Sequence, residues 1–178
     1  CGDSDMFTNQ ELEQFENQQG FQLPNEYKDF CRIFGSGQFG NYMRVFCPRM
    51  ENAKGAVNIL KKSLTQFKEV QSNPPVAEKF SSMIDFCFFF GMNPNGQMFI
   101  WDLRTYQESD HSYDIYLIPL DYWDRSKLVG RSFCDFISDF CLTKEGYRKM
   151  PKYLHPLKGD IYSRFLRYPP MFTKPWAD

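Results

Sequence analysis

The chain has 178 residues, 42% hydrophobic and 18% aromatic, so it is long enough for one domain with a substantial core and too apolar for a disordered chain. Its 21 basic and 22 acidic side chains exclude a global electrostatic case for binding nucleic acid or an anionic membrane surface. The charge is unevenly distributed, because residues 81–143 carry 9 acidic against 4 basic side chains and residues 144–178 carry 3 against 8.

The cysteines indicate free thiols rather than disulfides or a metal site. Four of the six lie inside apolar runs, no C-x-x-C is present, and no cysteine pairs with a histidine at metal-ligand spacing. This usage predicts a reducing, cytoplasmic compartment. No stretch reaches membrane-spanning length, and residues 1–12 lack signal-peptide features. The start at Cys1 is compatible with a removed leader, which would allow a lipidated cysteine, and loss of an initiator Met is the simpler expectation.

Two helices are predicted at the start of the chain. Thr8 and Glu11 form a capping-box sequence, and Gly20 ends the first helix. Pro24 suits the first turn of the second helix. The apolar residues of that helix recur with helical spacing: Tyr27, Phe30, Cys31 and Phe34. Glycines then interrupt the pattern, and a strand is predicted from Tyr42 to Phe46.

A long basic helix is predicted over residues 51–72. Its apolar stripe comprises Val57, Leu60, Leu64 and Phe67, and its lysines fall mostly away from this stripe. The sequence Asn73-Pro74-Pro75 is predicted to end it.

The second half of the chain predicts three strands and a helix. The strands are Ile84–Phe90, Gln97–Leu103 and Tyr113–Leu120, with a turn at Asn93–Gly96 and a polar loop over residues 104–112. Ser132 caps the helix, whose inner face is Phe133, Phe136, Ile137 and Phe140. One short helix is expected near 160–167. The order of elements predicts an α+β fold, with an antiparallel sheet and helices packed mainly on one face.

The strand after the turn is apolar on both faces. Met98 and Ile100 are expected to face the helices with Phe86, Phe88 and Phe90, and Phe99 and Trp101 to face away with Phe89, Tyr116 and Ile118. This second apolar face needs a cover, from a partner or from the tail. The tail residues suited to this are Tyr153, Leu154, Tyr162, Phe165 and Trp176. Phe99 and Trp101 are therefore candidate partner-binding residues.

Catalysis and cofactor binding are not predicted. Only His111 and His155 are present, and nothing in the sequence brings either beside a cysteine. Asp102 is either a general base or, as favoured here, a cap for the backbone that follows it. The glycines at 35, 37 and 40 lack the P-loop pattern. An RNA-stacking role for Phe99 and Trp101 is disfavoured because their block is acidic.

Five acidic residues cluster in sequence around the third strand: Glu108, Asp110, Asp114, Asp121 and Asp124. They form either a solvated rim or a surface suited to a basic protein partner.

Three stretches in this order resemble the SUKH superfamily of Smi/Knr-like proteins: ELEQFENQQGFQLPNEYKDFCRIFGSG, NPNGQMFIWDL and GRSFCDFISDF. The matching features are Leu23-Pro24, Tyr27, Phe30, Gly35, Gly96, Asp102, Ser132-Phe133 and Phe136. The resemblance implies an α+β domain that binds proteins, since bacterial members look like immunity proteins against toxins and fungal relatives regulate cell-wall assembly.

The resulting expectation is a SUKH-like domain over residues 8–143, with a basic helical insertion at about 51–72 and a basic aromatic tail, 144–178, packed on it. It is expected to be non-catalytic, without metal or cofactor, and to neutralise a cognate toxin, such as a basic nuclease, by direct binding. The alternative is a regulatory or scaffold module of the Smi/Knr kind.

Overall fold

The computed structural model describes residues 6–39, 43–48, 50–71, 74–93, 95–142 and 165–167. The first helix, α1 (Asn9–Gln19), begins with the predicted capping box: Thr8 Oγ1 accepts from Glu11 N at 3.2 Å, and Glu11 Oε2 accepts from Thr8 N at 2.8 Å. It ends at Gly20, whose φ of 71° lies in the left-handed region that glycine adopts without strain. The second helix, α2 (Asn25–Ile33), buries Tyr27, Phe30 and Cys31 as predicted, whereas Phe34, the fourth residue of the predicted face, follows the helix and is exposed.

The remaining helices are α3 (Met50–Gln71), α4 (Pro74–Ile84) and α5 (Phe133–Asp135), and α5 continues directly as a π-helix over Phe136–Cys141. A short 3₁₀ helix covers Trp123–Arg125. The strands are β1 (Gly37–Phe39), β2 (Met43–Val45), β3 (Cys87–Met92), β4 (Met98–Gln107), β5 (Ser112–Ile118), β6 (Lys127–Gly130) and β7 (Phe165–Arg167).

The strands form one sheet in the order β6-β5-β4-β3-β2-β1-β7, and each neighbouring pair is antiparallel. The predicted α+β class is therefore confirmed. In the described ranges, none of the helices combines the length and the hydropathy needed to cross a bilayer.

Helices cover both faces of the sheet, so the expectation of helices mainly on one face is wrong. On one face, α1, α2 and the α5–π-helix segment pack over Phe88, Phe90, Phe99 and Trp101. On the other face, α3 and α4 pack over Phe89, Met98, Ile100 and Ile118. Successive side chains of β4 point alternately into the two cores. Because both cores are apolar, the sequence of β4 is apolar at consecutive positions.

The structure corrects the assignment of Phe99 and Trp101 as partner-binding residues. Both side chains are 0% exposed. Trp101 lies opposite Phe88 in the ladder and stacks on Phe90 with ring centroids 4.6 Å apart, while the ring centroid of Phe99 lies 5.0 Å from that of Phe136. The neighbours differ from those expected: Phe88 and Phe90 lie with Phe99 and Trp101, whereas Phe89, Tyr116 and Ile118 lie with Met98 and Ile100. Phe86, which was expected to face the helices, is exposed. A shift of one residue in a strand moves every side chain to the opposite face. The cover over Phe99 and Trp101 comes from α2 and the last helix, and Phe165, which was expected to be part of a cover from the tail, lies in the edge strand β7.

Five elements were not predicted: α4, β1, β6, β7 and the 3₁₀ helix. Helix α4 begins at Pro74, because proline at the first turn of a helix costs no hydrogen bond, whereas these prolines were predicted only to end the preceding helix. Strands β1 and β6 are three and four residues long, too short for a periodic signal. The short helix expected near 160–167 is wrong for residues 165–167, which form β7. Tyr153, Leu154, Tyr162 and Trp176 lie outside the described residues, and the predicted domain boundaries stay predictions.

Candidate interaction surface

The five predicted acidic residues do not form one surface. Glu108 and Asp110 lie in the turn between β4 and β5, and Asp114 lies near the start of β5. Asp121 and Asp124 follow the end of the same strand. The seven residues of β5 span about 20 Å, so the two groups lie at opposite ends of the sheet.

Asp121 and Asp124 are exposed in a segment whose charge is balanced. Arg125 and Lys127 follow within a few residues and are also exposed, and the Arg125 guanidinium lies 4.6 Å from the centre of the Tyr122 ring. Trp123 anchors this segment to α3 by donating from Nε1 to Ser63 Oγ at 2.9 Å. The end of β5 that carries Asp121 is therefore not a net negative surface.

The other end carries a compact hairpin turn, residues 106–111, called here the acidic tip. Asp110 Oδ1 accepts from the Ser112 backbone N at 3.1 Å, and His111 adopts a left-handed φ of 54°. The Tyr106 hydroxyl is hydrogen-bonded to His111 Nδ1, and the Tyr106 ring lies 5.4 Å from the ring of Tyr113. These contacts cross the turn from both sides, so the conformation of the tip is set by its own side chains.

Tyr113 ties the hairpin to the loop between α1 and α2. Its hydroxyl donates to the Gln22 carbonyl oxygen at 2.7 Å, and its ring packs edge-on against Phe21. The pKa of Tyr113 is raised to about 12, mainly by burial and secondarily by the neighbouring Tyr106. This phenol therefore stays neutral at physiological pH and adds no charge to the tip.

At the base of the hairpin, the buried carboxylate of Asp102 forms an ion pair with Arg104. Asp102 is only 4% exposed, and it accepts from Arg104 Nε at 2.7 Å and from Nη2 at 2.6 Å. The hydrogen bond to this carboxylate raises the pKa of Arg104. Asp102 also accepts from the Arg104 backbone N at 3.2 Å, as predicted, but Arg104 lies within β4 and not in a loop that follows the strand. The ion pair was missed, although its signal was present: residues i and i+2 of a strand share one face.

Asp114 lies opposite Asp102 in the β4–β5 ladder. Thr105 bridges the irregular region of this ladder, donating from Oγ1 to the Asp102 carbonyl oxygen and accepting from Asp114 N, both at 2.8 Å. Arg104 is engaged by Asp102, so among the described residues of β4, β5 and their turn the charges that remain at this end are those of Glu108, Asp110 and Asp114. The acidic tip carries two of these, Glu108 and Asp110, and a 38% exposed tyrosine, Tyr106.

The exposed functional groups of this surface are the carboxylates of Glu108 and Asp110 and the phenol of Tyr106. His111 is occupied by the Tyr106 hydroxyl, and His155 lies outside the described residues. Within the part of the chain that the structure describes, no group of three or more His, Cys, Asp or Glu side chains is arranged to hold a metal ion. Exposed carboxylates and an exposed aromatic ring within one turn are groups that can contact a basic protein surface.

Comparison with family models identifies a family for most of the chain. The model of the SMI1 / KNR4 family (SUKH-1) matches residues 6–139, which include every element from α1 to α5, six of the seven strands and the acidic tip. No curated protein and no solved structure matches the chain.

Proposed function

The chain belongs to the SMI1 / KNR4 family (SUKH-1), as its sequence predicted, and from this membership we propose that it is a non-catalytic domain that binds another protein. Membership supports a protein-binding immunity or regulatory role in general. The finer proposal is a cytoplasmic immunity protein that neutralises a cognate toxin by direct contact, with the acidic tip as the principal contact.

The observation that carries the proposal is that the acidic tip is ordered before any partner arrives. The hydrogen bonds of Asp110 and Tyr106 hold the turn, so little conformational entropy is lost on binding. Tyr106 presents a rigid aromatic ring, a residue type enriched at interface hot spots. Glu108 and Asp110 are exposed in the same turn and add negative charge to it.

The charge specifies a basic partner. A nuclease holds phosphates in a positive cleft, and an inhibitor with a complementary surface gains association rate and selectivity. Asp121 and Asp124 were predicted to serve the same role, but they lie at the other end of β5 beside basic residues. The proposal therefore assigns the main electrostatic contribution to the tip.

The proposal predicts that a neighbouring gene encodes a toxin, and that toxin is the partner used in the test. Glu108→Gln with Asp110→Asn should lower the association rate constant about tenfold at low salt with little change in dissociation. The amide that replaces the Asp110 carboxylate keeps an oxygen that can accept from the Ser112 backbone N, so the turn is preserved. The matched control is Asp121→Asn with Asp124→Asn, which removes two charges from the other end.

Salt gives an independent measurement on the unmodified protein. The Debye length shrinks about threefold between roughly 0.05 M and 0.5 M salt, so association should slow over this range. Equal effects of both double variants, or association indifferent to salt, would reject the tip as the contact. A regulatory or scaffold role, the alternative, is distinguished by a neighbouring gene that encodes no toxin and by a partner that retains its activity when bound.

A further inference from the structure

One edge of the sheet is completed by a strand from outside the family-matched segment. Strand β7 pairs with β1 in the register Gly37–Arg167, Gln38–Leu166 and Phe39–Phe165. Strand β1 lies within the matched residues 6–139, whereas β7 lies beyond them. The edge of the family domain at β1 therefore accepts an extended segment, and here the chain supplies that segment itself.

We propose that β1 is a strand-acceptor site for an extended peptide, and that β7 occupies it in cis. A strand of another protein then binds at β1 only when it displaces β7. This mode of recognition is strand addition, in which backbone hydrogen bonds supply affinity and alternate side chains supply specificity.

The short ladder makes displacement feasible. Among the described residues, three pairs join β1 and β7, so few hydrogen bonds hold the segment. Residues 143–164 separate β7 in sequence from Leu142, the last described residue before it. A partner strand that pairs over more than three residues forms more hydrogen bonds than the three described β1–β7 pairs provide.

The residues of β1 indicate which strand fits. Gly37 has no side chain, so the position opposite it accommodates a long residue, and in β7 this position is Arg167. Phe39 lies on the α2 face, with its ring centroid 6.1 Å from that of Phe30, which also contacts Phe34 at 5.5 Å. Directly opposite residues of an antiparallel pair share one face, so an apolar residue is favoured opposite Phe39. The preferred ligand is an extended segment with an apolar residue two positions before a long, basic one.

The test uses the full chain with two variants of one residue. Leu166→Pro removes the backbone N–H and stiffens the strand, whereas Leu166→Ala shortens the same side chain and keeps the N–H. Amide exchange over residues 36–39 should rise at least about tenfold in Leu166→Pro and stay within about threefold of wild type in Leu166→Ala.

The probe for the vacated site is a synthetic peptide with the sequence of residues 160–170, followed by backbone chemical shifts. A tethered strand has an effective concentration of about millimolar, so the peptide should bind Leu166→Pro about tenfold more tightly than wild type, with shifts at residues 36–39. Unchanged exchange of residues 98–101 establishes that the core of the variant remains folded. Peptide binding equal in both proteins, or absent from Leu166→Pro, would overturn the proposal.

Discussion

At the scale of single residues, Phe136 shows how the core is built. It is fully buried, and its ring centroid lies 5.0 Å from Phe99, 5.3 Å from Phe90 and 5.7 Å from Phe140. Phe136→Ala should therefore lower the free energy of unfolding by about 3–5 kcal/mol, and Phe30→Ala, on the facing helix, by a similar amount.

Phe86 is the matched control, because it is the same residue type at 56% exposure. Phe86→Ala should change stability by less than about 1 kcal/mol. Denaturant unfolding of the three variants makes the measurement, and similar losses for Phe86 and Phe136 would contradict the assigned packing.

The thiols differ in their surroundings in a way that labelling can detect. Burial raises the pKa of Cys31 and of Cys141 well above the ordinary value. The pKa of Cys87 is raised to about 12, mainly by burial and secondarily by the Asp102 carboxylate. Because the thiolate is the nucleophile, these three thiols should stay unreactive toward iodoacetamide at about pH 9, while the exposed Cys134 is alkylated.

Peptide mapping by mass spectrometry gives the order of alkylation, and full labelling in denaturant gives the control. Cys87 modified as fast as Cys134 in the folded protein would show that the β3 thiol is not shielded as described.

At the scale of elements, replacing glycine by alanine is expected to have opposite effects on stability at two positions. A Cβ atom built on Gly91 in β3 would lie 2.5 Å from the Arg44 carbonyl oxygen of β2, so Gly91→Ala should force the two strands apart. A Cβ atom on Gly55 in α3 meets nothing within 4 Å. Gly55→Ala should stabilise by about 0.5–1 kcal/mol, and Gly91→Ala should destabilise by about 1–3 kcal/mol.

Thermal unfolding of the two variants and of the wild type measures both the expected gain in stability and the expected loss. A neutral Gly91→Ala would mean that β2 and β3 do not approach each other as closely as the ladder requires.

At the scale of the whole molecule, β4 joins the two cores into one unit. Leu12 of α1 packs on one face and Leu60 of α3 on the other, and both are almost fully buried. Leu12→Ala and Leu60→Ala should each cost about 2–5 kcal/mol and shift one common transition, because neither face can be lost without exposing β4.

Two buried tryptophans, Trp101 in one core and Trp123 in the other, provide the fluorescence signal. Fluorescence and far-UV circular dichroism should give coincident curves in both variants. Two separated transitions in either variant would show that the cores unfold independently.

The sequence by itself determined the elements whose signals are local. The capping box of α1, the helical spacing in α2 and α3 and the Ser132 cap of the last helix all act within about four residues, and the structure contains each of them. The family was determined in the same way, because its motifs lie in a recognisable order on α1 and α2, on the turn and strand β4, and on the last helix.

Only the tertiary structure decided which face each strand residue occupies and which charges meet. A run such as Phe88–Phe90 is apolar at every position, so its sequence does not specify which residue faces which core, and pairing with β4 decides this. The five acidic residues are close in sequence, but the extended strand β5 places the first three about 20 Å from the last two. Strand pairing and charge proximity depend on residues far apart in the chain, and no local pattern records them.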